Sequence, residues 1–414
     1  MNELTKFELK KIIKRRSSIM AIAMVFLVCI INLVFSISGE SYGSDLTGNL
    51  KKGISAITKK REEVNNLNGN LTEKRISDVI NIYNSLQKSS KNTGDFDGLN
   101  EEEYYTHWQK YKDIDSLIDR SYGQSLLLGV DASANLKSKD GIKFYSNREK
   151  QVLNYIEHES SYEYTNKEKD KIIKTTNKMD TPLYYNYTDG WFKLIWDMSL
   201  ISIVIIICAS ICISSIFSSE CENQIDGIIL STKYGKDKLI KSKFKAAFIF
   251  TTIFYFISIG FAAFIRLFIY GFEGWNCKIQ SVSTYWHSMY NINFLQAFLL
   301  SVVFGYIGCL VATSIAMFIS SKLKNSFTVI IMTLGLLFVP RFINMGTMPK
   351  FIDYIIDLFP INIANINNTL GYYKFYDIFG VLVIQPWIMM IVSVILIITL
   401  LFFTDKACKN HEVE

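Results

Sequence analysis

Six stretches of the chain run nearly free of charge for about the 20 residues that a helix needs to cross the hydrocarbon layer of a bilayer. They lie near 18–38, 194–217, 246–269, 294–319, 325–345 and 382–403. Between the first two the pattern changes. Leu50, Ile54, Ile57, Val64, Leu67 and Leu71 recur at spacings of three, four and seven, and after the turn-forming pair Asn68-Gly69, Ile76, Val79, Ile80, Tyr83 and Leu86 continue the series. That is the period of an amphipathic helix. Ser146 with Glu149, and Thr165 with Glu168, have the spacing of capping boxes at helix starts. Gly, Asn and Asp crowd 92–100 as in a loop, and no stretch alternates as a half-buried strand does. The pattern predicts an all-α integral membrane protein with six transmembrane helices and a helical domain between helices 1 and 2. A helix of ~25 residues in that domain would project on the order of 40 Å.

Composition sharpens this. Of 414 residues, 50% are hydrophobic and 20% charged, which excludes collagen-like, disordered and small disulfide-stapled classes. The clustering of charge outside the apolar runs excludes a soluble single-domain enzyme. Short loops and tails expected on one side of the membrane (1–17, 218–245, 320–325 and from 404) hold sixteen Lys and Arg, whereas 271–292 and 346–383 hold three. The basic side faces the cytoplasm, so both termini lie inside and 39–190 is extracellular. The division is then a cytoplasmic helix at 1–17, transmembrane helix 1 at 18–38, the extracellular helical domain at 39–190, and a five-helix transmembrane domain at 191–414. The first apolar run lacks a clear small-x-small cleavage site and reads as a retained anchor rather than a signal peptide. In 1–17, Leu4, Leu9, Ile12 and Ile13 share about half of a helical wheel with Lys6, Lys10 and Lys14 largely opposite, and Phe7 spoils the pattern. Both a helix lying on the inner leaflet and an ordinary basic flank fit. None of the seven cysteines falls in 39–190, which argues against a disulfide framework. The wealth of Lys, Ile and Asn suits an AT-rich bacterium with one membrane.

Candidate chemistry is sparse. No G-x-x-x-x-G-K-[ST] occurs: Gly235-Lys236 is followed by Asp237, and Leu230 stands where the first glycine should be. No H-E-x-x-H occurs, and the four histidines are scattered, so no catalytic residue, resident cofactor or metal is assigned, and no nucleic-acid partner. Asp95, Asp97 and Glu101 to Glu103 form an acidic loop without EF-hand spacing; a solvated loop and a cation site are both open. Asp197, Arg266 and Arg341 lie near outer helix ends, where snorkelling accounts for them. Gly308, Ala312 and Ala316 recur every four residues in the fourth span, a pattern that lets a partner helix approach closely, from the same chain or from another. In 346–381, Phe351, Ile352, Ile355, Ile356 and Phe359 make an apolar stripe of ~15 Å before Pro360 interrupts it, as in an outer re-entrant segment. A plain outer loop is the alternative.

The inside loop 218–245 says most. It opens with Glu220 and Glu222, passes Ile225, Gly227, Ile228 and Leu230, continues through Ser231 and Thr232, and ends in six lysines. This order of Glu, Gly, a Leu-Ser-Thr turn and a basic stretch resembles the second inner loop of type-2 ATP-binding-cassette exporter permeases. So do the six-span pattern and the aromatic lead Tyr184 to Trp191, which is similar to members with a large outside insertion. Pro and Arg often follow the Thr in that family; here Lys233-Tyr234-Gly235-Lys236 depart from it. The resemblance implies a cytoplasmic coupling helix at Glu220–Thr232 that receives a separate P-loop ATPase, which carries the ATP and Mg. It also implies a second permease copy or a related permease, a bilayer setting in the cell membrane, and outward movement of an amphipathic peptide or lipid-like substrate. The alternative is a non-transporting receptor or secretion-system scaffold whose outer helical domain binds a partner.

Overall fold

The computed structural model describes residues 2–45, 48–89, 98–123, 136–160, 162–231, 237–342, 350–371 and 373–410. Among them five helices are long and apolar enough to cross a membrane: Arg16–Ser38, Asp189–Ile213 with its continuation to Glu222, Lys238–Tyr270, Phe294–Ser320 and Gln385–Lys409. The stretch predicted at 325–345 is a helix at Ser326–Phe342 with Pro340 inside it. Its 17 residues give about 25 Å at 1.5 Å per residue, short of the ~30 Å hydrocarbon layer.

The long helices divide by burial. Asp189–Ile213 and Phe294–Ser320 form the centre, with 72% and 61% of their apolar windows buried, against 28% and 22% for the first and last helices. The outer helices turn Phe35, Leu27, Ile398 and Phe402 outward, as helices facing lipid do. The two central helices meet through small residues. A Cβ on Gly305 would fall 2.3 Å from the Tyr255 hydroxyl and 2.7 Å from Ser202 Oγ, so only glycine allows that approach.

Polar groups also cross between helices. Arg266 Nη2 donates to Asn32 Oδ1 at 2.6 Å and to Asp197 Oδ2, joining the first three long helices. The Arg266 and Asp197 side chains are 4% and 14% exposed, so these groups are buried against one another rather than snorkelling. The reason is complementarity: a paired, hydrogen-bonded charge can be buried where a lone one cannot. The Arg341 side chain lies outside the described residues.

The 39–190 region is mostly helical but compact. Asn65 ends the helix Ile54–Asn65, and Gly69, at φ +129°, begins a strand Gly69–Asn70 that pairs antiparallel with Tyr184–Tyr185. Gly tolerates that backbone at no Cβ cost. The two ends of the region are therefore clasped, and its longest described helix, Glu73–Ser89, has 17 residues; among the described residues no projecting ~25-residue helix occurs. Thr165 and Glu168 form the predicted capping box. Ser146 does not: it lies inside its helix, and its hydroxyl donates to the Lys143 carbonyl.

The core beneath those helices is shared. Ile76, Val79, Ile80 and Tyr83 pack with Trp108, Leu117 and Ile118, and also with Trp286, Met289, Tyr373, Phe375 and Leu382 from the two later loops at the same end. Arg148, 3% exposed, fixes the junction by donating to the carbonyls of Trp286, Thr176 and Ser288 at 2.8, 2.8 and 2.6 Å. Burial pushes its pKa down to about 10.

A β-hairpin, Phe375–Ile378 with Val381–Ile384, was not anticipated from the sequence. Its two-residue turn, Phe379-Gly380, has φ of 49° and 84°, the geometry of a type I′ turn, braced by Gly380 N donating to Asp377 Oδ1 at 2.7 Å. The last long helix therefore begins at Gln385, with Pro386 in its first turn, and 382–384 belong to the hairpin.

Candidate functional site

The segments 2–15, 215–231, 237–245 and 405–410 come together at the end opposite the 39–190 region. Lys409 pairs with Asp237 at 3.3 Å, and the helix Glu3–Lys14 lies along the start of Lys238–Tyr270. Arg15, with extended backbone, separates that first helix from Arg16–Ser38 and donates to the Ser215 carbonyl and Ser219 Oγ at 3.1 and 2.9 Å. The first helix buries Ile12, Thr5 and Glu8, with Leu9 packed against the same core, while Phe7 and Ile13 remain exposed.

Glu8 is the centre of this contact. Its carboxylate accepts from Lys243 Nζ at 3.1 Å; Lys243 also reaches Glu220 at 2.6 Å and the Ile216 carbonyl at 2.8 Å. Lys11 adds a second cation, 3.1 Å from Glu220 and 4.0 Å from Glu8. The Lys243 and Glu8 side chains are 1% and 3% exposed, and Glu220 10%. A buried cluster of two carboxylates and two ammoniums thus bolts the first helix, the end of the second long helix and the start of the third into one unit. The bonds are charge-assisted, with the cations' donors shared among several acceptors.

The predicted loop residues divide around this cluster. Glu220 turns inward. Glu222 turns the other way and accepts from Ser326 Oγ at 2.7 Å, capping the start of the short apolar helix. After Gln224, which has φ 54°, the helix Asp226–Ser231 carries Gly227 and exposes Ile228 at 69%, with Ile225 beside it at 39%. Ser231 donates its hydroxyl to the Ile228 carbonyl. The Leu230 side chain and all of Thr232 lie outside the described residues, as do Lys233 to Lys236. What the site offers is a short apolar bump on a helical connector, joined to the charged cluster where Ile225 N donates to the Glu220 carbonyl at 3.0 Å.

The other predicted groups meet each other. Gly308 lies about 21 Å along the helix Phe294–Ser320, and a Cβ there would fall 2.7 Å from the Pro360 carbonyl. Ala312 and Ala316 are fully buried in the same chain's core. The segment after Phe351 forms helices Lys350–Ile356 and Pro360–Ile363, the second started by Pro360 at its first turn. Phe351 and Ile355 are exposed, Phe359 is partly buried and Pro360 buried. Asn367 then donates to the Ile195 and Trp196 carbonyls at 2.9 and 3.1 Å, and Asn365 accepts from Ser199.

Sequence reasoning passed over Glu8, Lys11 and Lys243. A signal was present: Glu8 stands between Leu4 and Ile12, and Lys243 between Leu239 and Ala247, each on an apolar helical stripe. For the acidic loop, Asp95 and Asp97 lie outside the described residues; Asn100 caps the helix Glu101–Glu103, and Glu101 accepts from Ser44. Among the described residues no cluster of three or more His, Cys, Asp or Glu is placed to hold a metal ion.

No curated protein and no solved structure matches the chain. The model of the ABC-2 family transporter proteins matches residues 15–403. That span takes in the long helices up to residue 403, the 39–190 region and the connector with Glu220 and Lys243, but not Glu8 and Lys11. The chain belongs to the ABC-2 transporter family, whose members are multi-pass membrane permeases of ABC transporters and generally work with an ATPase partner.

Proposed function

We propose that this chain is the permease subunit of an ATP-driven exporter, with six membrane crossings, both termini in the cytoplasm and 39–190 outside. In this reading ATP and Mg are held by a separately encoded P-loop ATPase, and this chain carries no chemistry of its own. The short helix Ser326–Phe342 serves as the fifth crossing, completed by local thinning of the bilayer. Two permeases, identical or related, pair with two ATPases and move an amphipathic peptide or lipid-like substrate outward.

The observation that carries the reading is the buried Lys243 joined to Glu8 and Glu220, with Ile225 N of the exposed connector donating to the Glu220 carbonyl at 3.0 Å. A connector that merely tethered two spans would need no buried charges joined to it. A lever that must pass force from a partner into several helices does need such a base. Closure of the ATPases would press on Ile225 and Ile228, and the bolted helices would shift together as a two-state element biased by nucleotide bound elsewhere. The shared outer core weighs against the receptor alternative, since the loops between the spans are built into the outer domain rather than left as simple anchors.

The test is affinity purification of the tagged chain from its native membranes in mild detergent. A P-loop ATPase should accompany the wild type in stoichiometric amount and be lost from Ile225→Asp/Ile228→Asp. Intact protein without any ATPase, carrying an outer-domain partner instead, would sink the exporter reading in favour of the receptor.

A further inference from the structure

A cavity of about 270 Å³ lies where the outer domain meets the long helices, room for roughly nine waters at ~30 Å³ each. Its wall carries both signs of charge. Lys60 sits between Asp113 and Asp189 at 3.3 and 2.9 Å, and Lys193 lies 2.6 Å from Glu40. Three carboxylates thus face two ammoniums, which leaves one negative charge uncompensated.

Two further groups on the same wall have no partner. Tyr185 and Ser281 are each only 2% exposed, yet neither the phenol oxygen nor the seryl hydroxyl makes a hydrogen bond in the protein. Burial, with Asp113 close by, raises the Tyr185 pKa well above the ordinary phenol value, so it remains a hydroxyl able to donate. Buried polar groups are almost always paired, and two orphans lining one small charged cavity point to a ligand that pairs them. The ammoniums retain capacity too: each has three N–H donors, of which Lys60 places two on carboxylates and Lys193 one.

Position narrows the chemistry. Glu40 directly follows the first long helix, and Asp189, Phe192 and Lys193 form the first turns of the second. In a chain that spans the bilayer, this is the level of the lipid headgroups. We propose that the cavity binds a small zwitterion bearing a primary ammonium and a phosphate, the chemistry of a phosphoethanolamine headgroup. The ammonium offsets the surplus negative charge of Asp113, Asp189 and Glu40, and the phosphate accepts from Tyr185, Ser281 and the spare lysine donors. The inference needs the chain in a membrane but not the ATPase partner.

The test is native mass spectrometry of the full chain released from phosphatidylglycerol nanodiscs doped with phosphatidylethanolamine or with phosphatidylcholine. The quaternary ammonium of the latter has no N–H to give. One phosphatidylethanolamine per chain should be retained, about fivefold or more over phosphatidylcholine. Tyr185→Phe/Ser281→Ala should reduce that retention about fivefold or more, the loss expected for even one hydrogen bond, with an unchanged melting temperature, because neither hydroxyl bonds to the protein. Glycerophosphoethanolamine is then titrated as a soluble competitor. Displacement of the lipid means that free zwitterions also enter; no displacement means that the site takes the headgroup of a resident lipid. Equal retention of the two lipids overturns the proposal, and so does a double variant that binds as the wild type does. Should that variant misfold, the wild-type comparison of the two lipids decides alone.

Discussion

Replacing Lys243 by Met tests the charged base directly. Met keeps most of the aliphatic stem but removes the ammonium that donates to Glu8 at 3.1 Å, to Glu220 at 2.6 Å and to the Ile216 carbonyl at 2.8 Å. Glu8, 3% exposed, is left with only Lys11 at 4.0 Å, while Glu220 keeps Lys11 at 3.1 Å. Breaking a buried pair costs about 3–5 kcal/mol because a charge stays buried without its partner. The surviving Lys11 contact puts this case near 3 kcal/mol. At about 2 °C per kcal/mol for a large chain, the melting temperature in nanodiscs should fall on the order of 5 °C. Neutralising the orphaned acids as well, with Glu8→Gln/Glu220→Gln/Lys243→Met, should recover most of that loss, since buried ion pairs are often replaceable by neutral groups of like shape. The coupling energy of the cycle should exceed about 1 kcal/mol, the range for residues in one network. Raising salt from low concentration to about 1 M should leave the effect in place, because buried pairs are little screened. A single variant melting within about 1 °C of the wild type, or a triple variant worse than the single, would refute the reasoning.

Other sites give shorter tests. Arg266→Leu leaves Asp197 buried without its cation, so it should destabilise by about 3 kcal/mol or more, and Arg266→Leu/Asp197→Leu should be milder; thermal melts of the two variants check this. Gly308→Leu drives a side chain into the Pro360 carbonyl, which a Cβ alone would approach to 2.7 Å. It should cost about 1–3 kcal/mol and increase protease cleavage in 350–371. His287 Nε2–H donates to the Gly371 carbonyl at 2.8 Å, and burial lowers its pKa to about 4 from 6.5. The unfolded chain therefore takes up this proton first, so the contribution to stability is complete above pH 6.5 and is lost as pH falls toward 4. Melting followed from pH 7 to pH 4 should show a steeper decline in the wild type than in His287→Asn, by at most about 1.4 kcal/mol per pH unit. Equal slopes would remove His287 from the account.

How much of this was open to reading depends on range. The apolar runs could be placed because a membrane helix writes its whole signal into about 20 consecutive residues. The fifth run was placed one residue early, at Asn325 where the helix starts at Ser326, and its other end, past Phe342, lies outside the described residues. The outer domain was legible as helices but not as a shape. Its clasp pairs Gly69 with Tyr185, and its core recruits Trp286 and Tyr373 from loops more than 100 residues downstream of most of its helices. The hairpin at 375–384 was hidden because Val381 to Ile384 are apolar and run straight into the last span, so nothing in local hydropathy separates strand from helix there.

The coupling site shows the same division in one place. That 218–245 carries an apolar centre between charged ends is a local property, and the sequence displays it. That Glu220 faces inward and Glu222 outward depends on Lys243 and Ser326, which only the packed helices bring near. Yet one kind of long-range information was present on each of the pairing helices: an ionisable residue on an apolar stripe. Glu8 between Leu4 and Ile12, and Lys243 between Leu239 and Ala247, each declare a buried charge, and a buried charge requires a partner of opposite sign. The stripes could not say which acid met which base. They did fix that such a meeting had to occur at the basic end of the molecule, because both lie beside the loops where the lysines concentrate. The charged base joined to the connector at Ile225 thus follows from two local conflicts between charge and burial that cancel only when the three helices are packed together.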